Sequence, residues 1–180
     1  MKGIIFRALE DLVVAQHGMQ TWDSILDKVN LSDRYYLGPK SYPDEELFSI
    51  VTEIGSILNV ELPVLIRSFG EYLFGYLAKS HADIVSQFQT FESLIEGIDG
   101  VIHKEVKKLY QEPNLPSILV TTIDDKTLKV IYDSPRKLCF CSEGLIYGAA
   151  SHFGIQVDIE HPKCTHHGAD VCELIVRKTA

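Results

Sequence analysis

The residues best equipped for chemistry crowd toward one end of this sequence of 180 residues. All four Cys and four of the seven His lie at or after position 139. Cys139, His161, Cys164 and Cys172 offer three thiolates and one imidazole, the donor set of a closed tetrahedral zinc site. His161 and Cys164 would share an ion from a short loop, Cys172 would join from the start of a final strand, and Cys139 from a preceding helix. His166 and His167 are substitutes for His161 in this scheme, and Cys141 is left over. The plainer alternative is four reduced thiols and three loop histidines in solvent. A zinc–thiolate group would also answer to oxidants, because disulfide formation expels the metal.

His103 stands apart from that cluster. At 100° per residue, Leu94, Ile98, Val101, Ile102, Val106, Leu109 and Tyr110 form one broad apolar helix face. His103 falls at its shoulder, beside Tyr110. Two readings stay open on helix geometry alone. One is a half-buried His with satisfied ring nitrogens; the other is a neutral imidazole serving as the proximal ligand of a haem iron in an apolar pocket. A second signal comes from Tyr132, Ser134 and Arg136. In an extended chain, residues at i, i+2 and i+4 share a face, so a phenol, a hydroxyl and a guanidinium would converge on one spot. Such donors suit carboxylates or phosphates. The alternative is the polar face of an edge strand ended by Pro135.

These side chains need elements to hold them. Up to about residue 113 the apolar period is helical. It predicts helices from Ile4 to near Gly18, over 21–29, over 47–58, and over 64–79 with Pro63 in a first turn. A short helix over 87–94 and a longer one over 94–111 follow. Beyond Pro113 the pattern alternates, predicting a hairpin of 118–122 and 127–133 about Asp124-Asp125-Lys126. A helix over 138–153, rich in small residues, and two strands near Ile155 and Cys172 complete the chain. The fold class is α+β: a helical part over about 1–112 and an antiparallel sheet with a crossing helix over about 113–180.

Composition bounds the function. With 46% apolar and 23% charged residues, the chain has the balance of one compact globular domain. A net charge of −8 counts against nucleic acid or an anionic membrane as partner. Arg7, Glu10 and Asp11 interrupt the first apolar stretch before a signal sequence can form, and no run is long enough to span a membrane; a cytoplasmic location is expected. Glu10, Asp11, Asp44, Glu45 and Glu46 read as a solvated acidic face.

Taken together, several motifs resemble one family along essentially the whole chain. They are the Met1-Lys-Gly start, His103 before Lys107-Lys108-Leu109-Tyr110, Pro116, Tyr132-x-Ser134-x-Arg136, and Gly144-Leu-Ile-Tyr-Gly148. The sequence resembles the H-NOX (haem nitric oxide/oxygen binding) family, bacterial relatives of the haem domain of soluble guanylate cyclase. The resemblance implies haem b between the helical and sheet parts, His103 as iron ligand, and Tyr132, Ser134 and Arg136 on the propionates. It also implies that Pro116 presses on the haem, and that segments carrying Ile5, Phe74, Phe140 and Leu145 supply an apolar pocket wall. Some proteobacterial members look similar in the Cys/His region, and many relatives lack it.

Members that bind oxygen stably carry a Tyr three residues before the first Gly of Gly-Leu-Ile-x-Gly. Here that position is Cys141, a weak donor, so the sequence looks like the nitric-oxide-selective branch, with CO also binding. The resemblance further implies that NO breaks the Fe–His103 bond, and that the output goes to a separate histidine kinase or cyclic-di-GMP enzyme. A non-enzymatic sensor is therefore expected. The competing expectations are a haem enzyme of peroxidase or oxygenase type, which would call for polar distal residues, and a zinc/thiol redox sensor acting independently of haem.

Overall fold

A computed structural model describes residues 1–110 and 114–179. Its first helix, α1 (Gly3–His17), buries Phe6, Leu9 and Val13 and ends at Gly18, whose φ of 83° turns the chain into α2 (Met19–Lys28). Only glycine takes that conformation without strain. Three acidic residues in the first turn of α3 (Asp44–Leu58) complement the helix dipole. They do more than face solvent: Asp44 pairs with Arg136 and the Met1 amino group, and Glu46 with Arg34. Helix α4 (Leu62–Ser80) carries Pro63 in its first turn, as the sequence suggests.

The segment leading to His103 departs from the sequence reading. A short α5 (Ala82–Val85) ends before residue 87. Thr90 and Ser93 form a reciprocal cap that starts α6 at Phe91, so 87–90 is not helical. The single helix expected over 94–111 is instead α6 (Phe91–Gly97), a π-helical turn (Ile98–Ile102) and α7 (His103–Leu109). Gly97 and Gly100 lower helical propensity around the break. The expected helix end at Gln111 and the change of pattern at Pro113 lie outside the described residues.

Strands β1 (Ser117–Asp124) and β2 (Thr127–Asp133) form the hairpin, and α8 (Cys139–His152) crosses to β3 (Val157–Lys163) and β4 (Cys172–Lys178). The sheet is fully antiparallel in the order β1-β2-β4-β3. Tyr132 pairs with Ile118 on one side and Cys172 on the other. That register brings the Tyr-x-Ser-x-Arg segment and the cysteine cluster to the same end of the sheet.

Two apolar clusters form, and α8 serves both. Phe6, Ile25, Ile50, Phe69 and Leu73 build the first, with Cys141 and Leu145 packed against it. Phe91, Leu94, Ile95, Val130, Leu174 and Val176 build the second with Ile146 and Ala149. Helix α6 thus packs with the sheet, although it lies in the helical part of the chain. The α4–α8 crossing is close because it is lined by glycine. A Cβ on Gly144 would collide with the Arg67 carbonyl oxygen, and one on Gly70 with that of Cys141. Among the described residues, no single helix is long and apolar enough to cross a membrane.

Candidate functional site

A cavity of about 360 Å³ opens between α1, α3, α4, the α6–α7 segment, α8 and the hairpin. Its walls are overwhelmingly aliphatic and aromatic, a lining that suits a large flat apolar ligand. Ile5, Phe74 and Leu145 contribute to it, as do His103, Pro116, Tyr132, Ser134 and Arg136. Polar groups are few and fall at defined places.

His103, the first residue of α7, also borders a polar cleft lined by Asp99, Lys107, Asn114 and Pro116. The imidazole therefore forms part of the wall between cavity and cleft. Its Nδ1 lies 3.0 Å from Asp99 Oδ1. A carboxylate only accepts, so Nδ1 carries the proton and Nε2 keeps its lone pair for a metal.

Tyr132 is buried, and its hydroxyl accepts the Leu138 N–H at 3.1 Å. Burial pushes its pKa up to about 12, which keeps the phenol protonated. The expected extended run does not continue through all three donors. Strand β2 ends at Asp133, and Lys137 sits at φ 52°. Ser134 and Arg136 belong to this tight turn, where Ser134 Oγ accepts the Arg136 N–H at 3.3 Å. Pro135, with no N–H to donate, cannot prolong the ladder. The turn nevertheless keeps all three side chains at the cavity.

The Arg136 guanidinium is held from behind, by Asp44 and by the Asn114 carbonyl. Burial alone would raise the Asp44 pKa. Hydrogen bonds from Arg136 and the chain's amino terminus outweigh it and hold the carboxyl below its ordinary range. The residues present fit a haem: one imidazole with a free Nε2 in an apolar wall, and a phenol, hydroxyl and guanidinium for the carboxylates at a rim.

Phe140 requires a correction. It is not part of the cavity wall. Its ring stacks on His166 at 5.4 Å, meets His161 edge-on and lies 5.8 Å from the Arg67 guanidinium carbon. Helix α8 is covered on several sides, and Cys141 and Leu145, not Phe140, face the cavity. Burial pushes the Cys141 thiol up to about 12, so it stays neutral there. Sequence reasoning also missed the His81–Tyr110 pair in the lining, whose Nε2 and hydroxyl lie 3.1 Å apart.

On the other side of α8, ligand atoms of Cys139, His161, Cys164 and Cys172 lie within 4.8 Å of one another. The three thiols are buried, and Cys139 Sγ is 3.8 Å from Cys164 Sγ. His161 sits on β3 rather than in a loop. A register shift between Glu160 and Lys163 accommodates Pro162 on this edge strand. Its Nε2 is buried without a hydrogen-bond partner among the described residues, and its Nδ1 lies 2.6 Å from Glu143 Oε1. His166 spends its Nε2 on the Lys137 carbonyl, and neither it nor His167 joins the group. Burial raises the Cys139 thiol pKa, and the Cys172 and Cys164 thiols add to the rise. Such a site fits Zn²⁺, which would displace those protons.

Comparisons with known proteins agree with this geometry. A family model described as haem-NO-binding matches residues 2–161. An H-NOX protein from S. oneidensis, solved in the Fe(II)NO ligation state, is 48% identical over the full length of both chains, with a TM-score of 0.97. The H-NOX from Shewanella woodyi, solved in the Fe(II)CO state, is 28% identical with a TM-score of 0.86, covering 99% of this chain and 95% of that one. Soluble guanylate cyclase 89Db of Drosophila melanogaster is 21% identical over 76% of this chain. The match spans about a fifth (20%) of the cyclase's own length.

Proposed function

This chain belongs to the haem-NO-binding (H-NOX) family, and from that premise we propose that it is a ferrous-haem sensor selective for nitric oxide, reporting to a separate signalling enzyme. The observation that carries the reading is the His103–Asp99 hydrogen bond, which leaves one imidazole nitrogen free at an apolar cavity with carboxylate-binding donors at its rim. Haem, which His103, Tyr132, Ser134 and Arg136 would hold, would supply an iron that binds NO. What the protein adds is control of the bond to His103. The His103 imidazole is held by Asp99 at the start of α7, and the π turn before it already departs from α-helical geometry, so release of the imidazole would free α7 to move. Pro116 borders both the cavity and the cleft beside His103 and would feel the same movement.

Selectivity for NO over oxygen rests on the cavity wall. Bound dioxygen carries partial negative charge that a hydrogen-bond donor stabilises. Cys141 offers only a weak thiol donor, and Phe69, Leu73 and Phe74 of α4 also line the cavity. CO, which needs no such donor, would bind. The peroxidase or oxygenase alternative gains no support from these apolar segments. By family resemblance the partner is a histidine kinase or a cyclic-di-GMP enzyme.

A second reading is favoured by the Cys139–Cys164 sulfur separation and the orphaned His161 nitrogen: zinc held by Cys139, His161, Cys164 and Cys172, with oxidant-driven loss of the metal. The experiment for the main reading is His103→Gly rescued with free imidazole. The variant should hold haem through the exogenous ligand and lose NO-dependent change in partner activity. Retained regulation would contradict it.

A further inference from the structure

We propose that Glu143 is the positioning residue of the Cys139/His161/Cys164/Cys172 metal centre and fastens it, through Arg67, to the α4–α8 helix pair that walls the haem cavity. This rests on reading those four residues as a metal site. Glu143 is the one Asp, Glu, Lys or Arg on α8, and it is only 3% exposed. A buried carboxylate is costly unless its lone pairs are used. Here they are divided. Oε1 lies 2.6 Å from His161 Nδ1, while Oε2 accepts from Arg67 Nε at 2.6 Å.

The division has a chemical consequence. An ionised carboxylate cannot donate, so the proton of that bond sits on His161 Nδ1 and the Nε2 lone pair is left bare. Nε2 is buried without a hydrogen-bond partner among the described residues, and a nitrogen of this ring lies within 4.8 Å of the three thiols. Carboxylate–histidine–metal chains orient the ring, select its tautomer and raise its basicity. Arg67 places both Nε and Nη2 on the same oxygen, Oε2, at 2.6 Å, which leaves Oε1 to His161.

The other end of the chain of contacts lies on α4. Arg67 is the residue whose carbonyl oxygen Gly144 packs against, so the guanidinium that holds Glu143 springs from the closest point of the helix crossing. Cys139 begins α8, Glu143 lies one turn on, and Cys141 and Leu145 of the same helix face the cavity. The metal centre is therefore built on the helix that forms part of the cavity wall.

The test uses haem-loaded protein and zinc alone, with affinity measured by competition against a chromophoric chelator. Glu143→Ala should weaken zinc binding by about ten- to a hundredfold, and Glu143→Gln, which keeps an acceptor for Nδ1–H, should restore most of it. An unchanged ferrous Soret band checks that the variants keep the haem site. Nitrogen NMR of the zinc-loaded unsubstituted protein provides a measurement independent of any variant's folding. It should show His161 with a slowly exchanging, strongly deshielded Nδ1 proton and a metal-bound Nε2. Zinc affinity within twofold of the parent in Glu143→Ala, or metal on Nδ1, would overturn the proposal while leaving the metal site standing. Failure of the parent to bind zinc would overturn both.

Discussion

Asp99 Oδ1 and His103 Nδ1 are 3.0 Å apart across the π-helical turn that separates α6 from α7. Asp99, which accepts from the proposed haem ligand, thus belongs to the irregular turn, and a change at His103 would be passed to that turn. Asp99 itself is largely exposed, while the His103 ring is mostly covered.

Removing that carboxylate should change the ligand more than the fold. A hydrogen-bonded carboxylate raises the basicity of a ligating imidazole. Asp99→Ala is therefore expected to lower the iron–histidine stretching frequency in resonance Raman spectra, with thermal stability almost unchanged. An unshifted band would show that Asp99 exerts no influence on the ligand.

Asp44 joins the N-terminus to the Tyr-x-Ser-x-Arg turn, since it accepts from Met1 and from Arg136. Its folded-state pKa is depressed below the ordinary 3.8. The contribution to stability is then complete above the unfolded-state value and fades as pH falls through the lower folded-state one. Asp44→Asn should cost about 1–3 kcal/mol at neutral pH. Denaturant titrations of parent and variant should converge as the pH falls through the depressed folded-state pKa; a constant difference would argue that the carboxylate charge is irrelevant.

The crossing of α4 and α8 should tolerate no side chain at Gly144. Alanine there meets the Arg67 carbonyl oxygen, and the helices must separate to admit it. We expect a loss of about 1–3 kcal/mol or more, read from chemical denaturation. Gly75, which faces open space, is the control and should accept alanine readily.

Much of this site is legible in the residues themselves. His103, the Tyr-x-Ser-x-Arg donors and the four-residue Cys/His group are identifiable because each needs a particular side-chain chemistry. The misplacements share a physical cause. Periodicity finds buried faces, but α8 is buried on several, so it cannot tell that Cys141 and Leu145 meet the cavity while Phe140 stacks on His166. Nor does it show that the helix before His103 breaks, because Gly97 and Gly100 lower helix propensity without specifying what replaces the α-helix. Glu143 was missed, although a carboxylate in the otherwise uncharged stretch from Leu138 to Ala150 was a visible signal that it needed a buried partner.

The proposed selectivity against oxygen is tested through Cys141. The ferrous protein in air-saturated buffer is expected to give no lasting oxy-type absorption spectrum, while CO forms a stable complex under argon. A persistent oxy spectrum would mean that another donor in the cavity lining reaches the ligand.

In the proposed mechanism NO frees His103. Electron paramagnetic resonance of the ferrous nitrosyl protein tests it directly, because hyperfine splitting reports every nitrogen bound along the iron axis. A released His103 gives splitting from the nitrosyl nitrogen alone, with the same spectrum in His103→Gly. Additional splitting from an imidazole nitrogen that disappears in His103→Gly would show His103 still bound, and would contradict it.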